Sequence, residues 1–524
     1  MELLPKGWLW VRHDEIAEIN PKLPEDGYSP NLMVSFIPMR SVEEETGKLD
    51  LSEEREYYQV KKGYTPFIEG DLIFAKITPC MENGKLAILD GLRNGIGFGS
   101  TEFHVSRLTK YTNVKYLYYY FLRKAFRRDA QQNMTGSAGQ LRVPNKYFQR
   151  VLIPLPPLPE QHRIVAKIEE LFSNLDQGIE QLKTAQQQLK VYRQAVLKWA
   201  FEGKLTEKWR KTHHVEPAER LLEQIKTERE NRYQQQLEEW KKAVKEWETN
   251  GNQGKKPVKP QKPKGFTPLS EKELAELPQL PDGWCWVKLG NACGKIFDGT
   301  HFSPQNYPEG RYKYITAKNI KEHGIDLSDI TYVTEDDHKE IYARCDVKKG
   351  DVLYIKDGAT TGIATVNNWD EEFSLLSSVG VFRTFHNLIE PKYLSFYLNS
   401  KVTRNRMLKN IAGVAITRLT LVKLNNSVCS LASIQEQHQI VQEIETRLSV
   451  CDNIEANIEE ALQKAEALRQ NILKKSFEGK LVLQDPNDEP ASVLLERIKA
   501  EKAKQKAQEA EKRNPNNKKK EKAL

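Results

Sequence analysis

Cysteine is scarce here. The six residues present (Cys80, Cys285, Cys293, Cys345, Cys429 and Cys451) form no CxxC pair. That spacing argues against a disulfide framework or a zinc knuckle and fits free thiols in a reducing compartment. No stretch of 18 or more apolar residues occurs, so no membrane-spanning helix is expected. The opening Met-Glu-Leu-Leu-Pro-Lys has no basic segment leading into an apolar one, and a secretory signal is not expected. Catalytic signatures are equally thin. Gly95-Ile96-Gly97-Phe98-Gly99 imitates a nucleotide loop, but a β-rich segment, Phe103-His104-Val105, follows it where a helix should begin. Gly290 to Lys295 falls one residue short of a phosphate loop and ends in Ile296. Glu202-Gly203-Lys204 and Glu478-Gly479-Lys480 have a nuclease-like spacing without an aspartate to share a metal. There is no Asn-Pro-Pro-Tyr or Asp-Pro-Pro-Tyr of the kind that holds a flipped base for amino methylation. The expectation is a chain with no catalytic site and no metal site.

What the sequence does contain is itself, twice. Leu4-Pro5-Lys6-Gly7-Trp8-Leu9-Trp10-Val11 returns as Leu280-Pro281-Asp282-Gly283-Trp284-Cys285-Trp286-Val287. Glu160-Gln161-His162-Arg163-Ile164-Val165 returns as Glu436-Gln437-His438-Gln439-Ile440-Val441, and Phe201-Glu202-Gly203-Lys204-Leu205 as Phe477-Glu478-Gly479-Lys480-Leu481. All three share one offset, a period far too long for a solenoid, so whole domains are duplicated. A fourth pair, Glu216-Pro217-Ala218 to Lys226 and Glu489-Pro490-Ala491 to Lys499, follows each copy.

Each copy opens with a mixed α/β part. Leu72-Ile73-Phe74-Ala75 and Val352-Leu353-Tyr354-Ile355 read as strands after Gly-Asp turns, and Val114–Tyr118 and Pro391–Ser395 as short aromatic helices. Pro154 to Pro159 reads as an extended connector. A long helix follows, with apolar positions at alternating steps of four and three: Ile164, Ile168, Leu171, Leu175, Gly178, Leu182, Ala185, Leu189, Tyr192, Val196 and Trp199. The copy keeps the phase through Ile440, Ile444, Arg447, Cys451, Ile454, Ile458, Ala461, Ala465, Leu468, Ile472 and Lys475. Two stripes of matching register predict that the helices pair with each other. Gly203 and Gly479 stop them behind basic last turns. His162 and His438, just ahead of the seams, suit packing at a helix start better than catalysis. The net charge of +8 permits nucleic-acid binding without arguing for it, since part of it sits in the Lys255–Lys264 linker and around Lys518-Lys519-Lys520.

This order of elements resembles the specificity subunit of type I restriction-modification systems. The carriers are the Leu-Pro-x-Gly-Trp-x-Trp-Val openings, the passage Ile153 to Val165, the Phe-Glu-Gly-Lys-Leu helix ends and the Glu-Pro-Ala elements. The second connector, Val428 to Ile434, departs by having lost its prolines. The resemblance implies a mixed α+β chain of two target-recognition domains joined by an antiparallel coiled coil. Residues 1–155 form the first such domain, 156–205 the central helix and 206–279 a helical extension with a Lys/Pro-rich linker. Residues 280–430 form the second domain, 431–481 the second helix, and 482–524 a helix ending in a basic tail. Each domain would read one half of a split duplex site. About 36–40 helical residues, roughly 55–60 Å, would hold the readers about one to one and a half duplex turns apart.

The implied partners are duplex DNA, two methyltransferase subunits and two restriction subunits. S-adenosylmethionine, ATP and Mg2+ would be carried by those partners, not by this chain, in the cytoplasm of a bacterium or archaeon at the nucleoid. Readout needs polar side chains at base edges, steadied by others on phosphates. Candidates after the repeated strands are Lys76, Thr78, Asn83, Lys85, Ser100 and Thr101 in the first domain. In the second they are Lys356, Asp357, Thr360, Thr361, Ser377 and Ser378. The glycine-containing loops add Gln140 and Arg142, and Thr417 and Arg418. The competing readings are a coiled-coil scaffold that never touches DNA and a self-sufficient methyltransferase or nuclease.

Overall fold

The structure, a computed structural model, describes residues 3–23, 28–137, 139–263, 265–385, 387–409 and 418–513. The chain folds as two interleaved units, residues 1–183 with 459–524, and residues 184–458. Each long helix, Leu158–Phe201 and Ile434–Phe477, therefore begins in one unit and ends in the other.

In the first unit the strand Leu9–Arg12 pairs antiparallel with Leu152–Leu155, so the globular domain closes on its own beginning. Pro154 is tolerated there because the sheet has only two strands and the proline needs no second partner. One four-stranded antiparallel sheet runs Ala17–Ile19, Phe103–Leu108, Leu72–Ala75, Leu86–Ile88. A second runs Glu54–Glu56, Met33–Ile37, Ile96–Gly99, Thr65–Ile68. The glycine-rich segment that imitated a nucleotide loop is a strand of this sheet, and a Cβ on Gly97 would meet the Phe67 ring at 2.3 Å.

The second unit repeats the closure with Cys285–Lys288 against Val428–Leu431. Its four-stranded sheet keeps the topology of the first: Lys295–Asp298, Val379–Arg383, Val352–Ile355, Ala364–Val366. The other sheet has drifted to three strands, Thr331–Val333, Tyr312–Ile315 and Ser374–Leu375. The aromatic helices Val114–Leu122 and Pro391–Asn399 hydrogen-bond the closing strands in matching fashion. Tyr116 Oη donates to the Pro154 carbonyl at 2.6 Å and Tyr393 Oη to that of Ser430 at 2.9 Å.

The motifs that recur in sequence meet in space at one joint per unit. In the first, Trp8 Nε1 donates to Glu160 (3.0 Å), the Ala491 amide donates to the Gly7 carbonyl (2.9 Å), and Gly479 lies on Pro5. In the second, Trp284 Nε1 donates to Glu436 (2.8 Å), the Ala218 amide to the Gly283 carbonyl (2.8 Å), and Gly203 lies on Pro281. Gly203 and Gly479 have φ of 71° and 66°, and in each case the next amide bonds back five residues, to Trp199 and Lys475, closing a Schellman stop. A Cβ on either glycine would also meet a proline Cγ at 2.2 Å. Each domain thus holds the start of the helix that follows it and the end of the other long helix. The helix Ala218–Thr249, within the helical extension expected between the two copies, buries Ala218, Leu221 and Ile225 in the core of the second domain. Arg229 on it donates to the carbonyls of Asn291 and Cys293 at 3.0 and 2.6 Å, around the end of a short helix. Lys502 does the same to Asp14 and Ala17 at 2.6 and 2.9 Å.

The long helices run antiparallel within each unit. In the first, Asp176 pairs with Arg469, and Ile164, Ile168, Phe172, Ile472 and Leu473 share the core of the globular domain. In the second, Arg193 reaches Asp452 and Glu455 at 2.6 and 2.9 Å, while Val196, Leu197, Ile440 and Ile444 pack with Trp284 and Tyr393. Leu171, Leu175, Leu182 and Leu189 are half-buried, and Ile458 is buried.

Part of the expected seam is displaced by one residue. Ile454 and Leu468 are 41% and 50% exposed, and Tyr192 and Trp199 are also exposed. Arg193, Ala200, Glu455 and Arg469 occupy the inner positions there, while Phe172, Ile179, Leu448 and Leu462 share theirs with Leu171, Gly178, Arg447 and Ala461. The cause lies at the helix starts. Ile164, Ile168 and Phe172, like Ile440, Ile444 and Leu448, take two consecutive steps of four. A helix of 3.6 residues per turn drifts that way before settling into heptads. The shift puts charged residues at the seam, where their aliphatic stems cover apolar surface and their heads cross to the partner. Arg469 lies over the Phe172 ring at 4.5 Å.

Candidate nucleic-acid interface

In both domains three segments are laced together just beyond the third strand of the shared sheet topology. In the first domain the Lys76 amide donates to the Glu102 carbonyl (2.9 Å), the Val143 amide to the Lys76 carbonyl (2.8 Å), and the Thr78 amide to the Leu141 carbonyl (3.0 Å). In the second the Lys356 amide donates to the Ser378 carbonyl (2.9 Å) and the Leu419 amide to the Lys356 carbonyl (2.8 Å). Isolated bridges join Ile77 to Arg142 and Asp357 to Arg418. The frame is one and the same, with different side chains mounted on it.

On the first frame Arg142 lies against Glu102 in a fork, Nε to Oε2 and Nη2 to Oε1 both at 2.9 Å, and its Nη1 donates to the Gln140 carbonyl at 2.9 Å. The carboxylate hydrogen bond holds the guanidinium firmly protonated. Lys76 stands behind it half-buried, its ammonium pulled down by desolvation and by the Arg142 charge, against the attraction of Glu102. Thr78 Oγ1 donates to the Gly139 carbonyl at 3.3 Å, and Ser100 Oγ accepts from the Glu102 amide at 3.2 Å. Thr101 and Gln140 are exposed beside them. Asn83 and Lys85 are not part of this group. Asn83 donates to Glu44 at 2.9 Å and Lys85 Nζ to the Met39 carbonyl at 3.3 Å.

On the second frame Lys356 cannot be a reader. Only 2% of its side chain is exposed, and its Nζ lies 2.7 Å from Asp357 and 3.6 Å from Asp298. Its place directly after a fully buried strand draws it inward, where two carboxylates compensate its charge. Thr361 is likewise buried and donates to the Gly358 carbonyl at 2.6 Å within its turn. Arg418 is 64% exposed, with Nε 3.8 Å from Asp357 Oδ1. Asp357 Oδ1 and Ser378 Oγ are buried with no hydrogen bond. Thr360 is exposed and Ser377 half-buried, whereas Thr417 lies outside the described residues. Sequence reasoning missed Glu102, although its neighbours Ser100 and Thr101 were singled out, and it missed Asp298, which also faces His301 and Arg344 at 3.4 and 3.6 Å.

Nothing at either frame resembles a reaction centre. Among the described residues no group of three or more His, Cys, Asp or Glu could hold a metal ion, and no helix is long and apolar enough to cross a membrane. Burial pushes the Cys285, Cys293 and Cys345 thiols up to about 12, far from nucleophilic. His162 and His438 sit exposed at the helix starts, facing Asn113 at 3.0 Å and Glu390 at 3.5 Å, the residues that cap the aromatic helices.

A family model described as the type I restriction modification DNA specificity domain matches the chain twice, over residues 5–189 and 281–464. The specificity subunit of the type I restriction enzyme EcoAI of Escherichia coli is 29% identical over 509 residues, spanning 88% of this chain and 80% of its own length. That of EcoEI, also from Escherichia coli, is 28% identical over 510 residues, spanning 88% and 81%. Among solved structures, a chain from a study of complex assembly and conformational transition in a type I R-M system superposes with a TM-score of 0.63. It is 21% identical and spans 92% of this chain and all of that one. The crystal structure of the HsdS subunit from Thermoanaerobacter tengcongensis gives 0.52 at 19% identity, spanning 91% and 98%.

Proposed function

The chain belongs to the type I restriction-modification DNA specificity family, and from that premise we propose that it reads a bipartite duplex target for such a complex. Each globular domain takes one half-site, and the paired helices set the spacer. The chain performs no chemistry of its own. It recruits two adenine-N6 methyltransferase subunits, which carry S-adenosylmethionine, and two restriction subunits, which use ATP and Mg2+, in the cytoplasm at the nucleoid. The observation that supports this most directly is the twice-built frame at residues 76–78, 102 and 142 and at 356–357, 378 and 418. Its backbone is preserved while its side chains differ, as two readers of two different sequences require.

Exchanging residues 1–155 for the corresponding domain of a relative should change one half-site and leave the other half and the spacer intact, read by mapping methylated adenines in host DNA. A change in both halves would refute independent reading. Removing one heptad from each long helix shortens it by about 10 Å, roughly three base pairs of duplex. The variant should then select a shorter spacer from a randomised library or lose specific binding. A pure scaffold would show no salt-sensitive binding to duplex DNA in either form.

A further inference from the structure

We infer that Glu102 is a positioning residue that makes Arg142 a guanine reader in the first half-site, while Arg418, mounted at the matching place, holds a DNA phosphate. The inference rests on the proposed DNA-reading role and assigns different work to two arginines of one frame.

A guanidinium has five N–H groups. On Arg142, Nε and one N–H of Nη2 are committed to Glu102, and one N–H of Nη1 to the Gln140 carbonyl. One N–H remains on each terminal nitrogen, and the side chain is 40% exposed. Two donors on one planar group match a pair of acceptors. Duplex DNA offers two such pairs, guanine N7 with O6 in the major groove and the oxygens of a phosphate. Glu102 decides between them. Its carboxylate offsets the guanidinium's own charge, and it fixes the direction in which the free donors point. Direction is what a base edge requires, and charge is what a phosphate requires.

At the second frame the relation is reversed. Ser378 stands where Glu102 does, since both lend their carbonyl to the lysine amide after the strand. Among the described residues no carboxylate is hydrogen-bonded to this arginine, and its ion pair with Asp357 is a loose one. Asp357 is 3.8 Å from Arg418 Nε, while its other oxygen is taken by Lys356 at 2.7 Å. Arg418, 64% exposed and held in no fork, keeps its freedom, as a phosphate contact does.

The test uses the full-length chain assembled with its methyltransferase subunits, probed with a library of random duplexes at several salt concentrations. R142K keeps the charge and loses the fork. It should relax discrimination at one G·C position of the first half-site by about tenfold to a hundredfold while the salt slope stays that of wild type. E102Q should relax the same position and steepen the salt slope, because the released guanidinium turns to phosphate. R418A should weaken binding to all sequences alike and lower the slope by about one phosphate. Melting temperatures of R142K and E102Q near wild type would exclude misfolding, and a fall in melting with no change in base preference would mean that Glu102 is merely structural. Uniform weakening by R142K, or a single relaxed base in R418A, would overturn the assignment. Wild-type protein that shows no salt-sensitive duplex binding would instead refute the DNA-reading role itself.

Discussion

The two joints are built from the same words and neutralised differently. Both bury a glutamate at the start of a long helix beneath a tryptophan indole. Glu436 is also held by Thr206 Oγ1 at 2.7 Å and by an ion pair with Arg210. Among the described residues no cation forms an ion pair with Glu160, and Arg163 acts on it only through space. Its Oε1 is buried without a hydrogen bond, and burial raises its carboxyl above the usual range although Trp8 and Gln484 favour the charged form. The neighbouring Arg163 pairs with Asp488 at 2.6 Å instead. Duplication has preserved the backbone geometry of the joint and released its electrostatics, so equivalent positions cannot be assumed to contribute equally to stability. The cores differ in the same way. His13 and His104 of the first domain lie at places held by Leu289 and Gly380 in the second, judging by the shared openings and sheet register.

The largest break in this comparison should come from Arg210→Met. It strands a buried carboxylate, which typically costs about 3–5 kcal/mol, and the double variant with Glu436→Gln should recover most of it. Arg163→Met, at the other joint, should cost no more than about 1 kcal/mol because the pair is partly solvated. Denaturant melts of the four proteins check this, and equal losses at the two joints would contradict the account. The seam supplies a second contrast of similar size. Ile168→Asp places an unpaired charge in a closed core and should cost several kcal/mol (about 3 or more). Leu468→Asp, on the exposed face, should stay within about 0.5 kcal/mol. Comparable losses would restore the expected heptad phase.

A smaller effect separates the domains by pH. Desolvation lowers His13 to about 3 and His104 to about 4, so both are neutral when folded. Below about 6.5 the unfolded chain binds protons that the folded domain refuses, so stability falls as pH drops through that value and continues to fall down to about 4 and 3. By pH 5 the loss is of the order of 2 kcal/mol per histidine. Amide hydrogen exchange should show the first domain opening before the second on acidification, and His13→Leu should lessen the difference. Identical acid profiles for the two domains would show that the buried histidines do not set it.

The legible part of this protein was whatever depends on neighbours in sequence. Duplication, two long helices, the glycines that stop them, the turns before the β-rich strands, and the absence of a long apolar run all follow from local spacing and composition. The candidate list reached Arg142 and Arg418 because a glycine-containing loop ending in a basic residue is visible in one dimension. Tertiary structure decided the rest. Which joint receives each Phe-Glu-Gly-Lys-Leu end depends on proline contacts with Pro281 and Pro5, far along the chain. The seam phase depends on which faces the globular cores occupy at the helix starts, something a repeat of period seven does not encode. Lys356 and Lys76 follow equivalent strands, yet one is sealed between Asp298 and Asp357 and the other stands half open beside Glu102. A side chain's burial and charge partners are set by the segments folded against it, and apart from Asp357, next to Lys356 in the chain, the partners here lie tens of residues away.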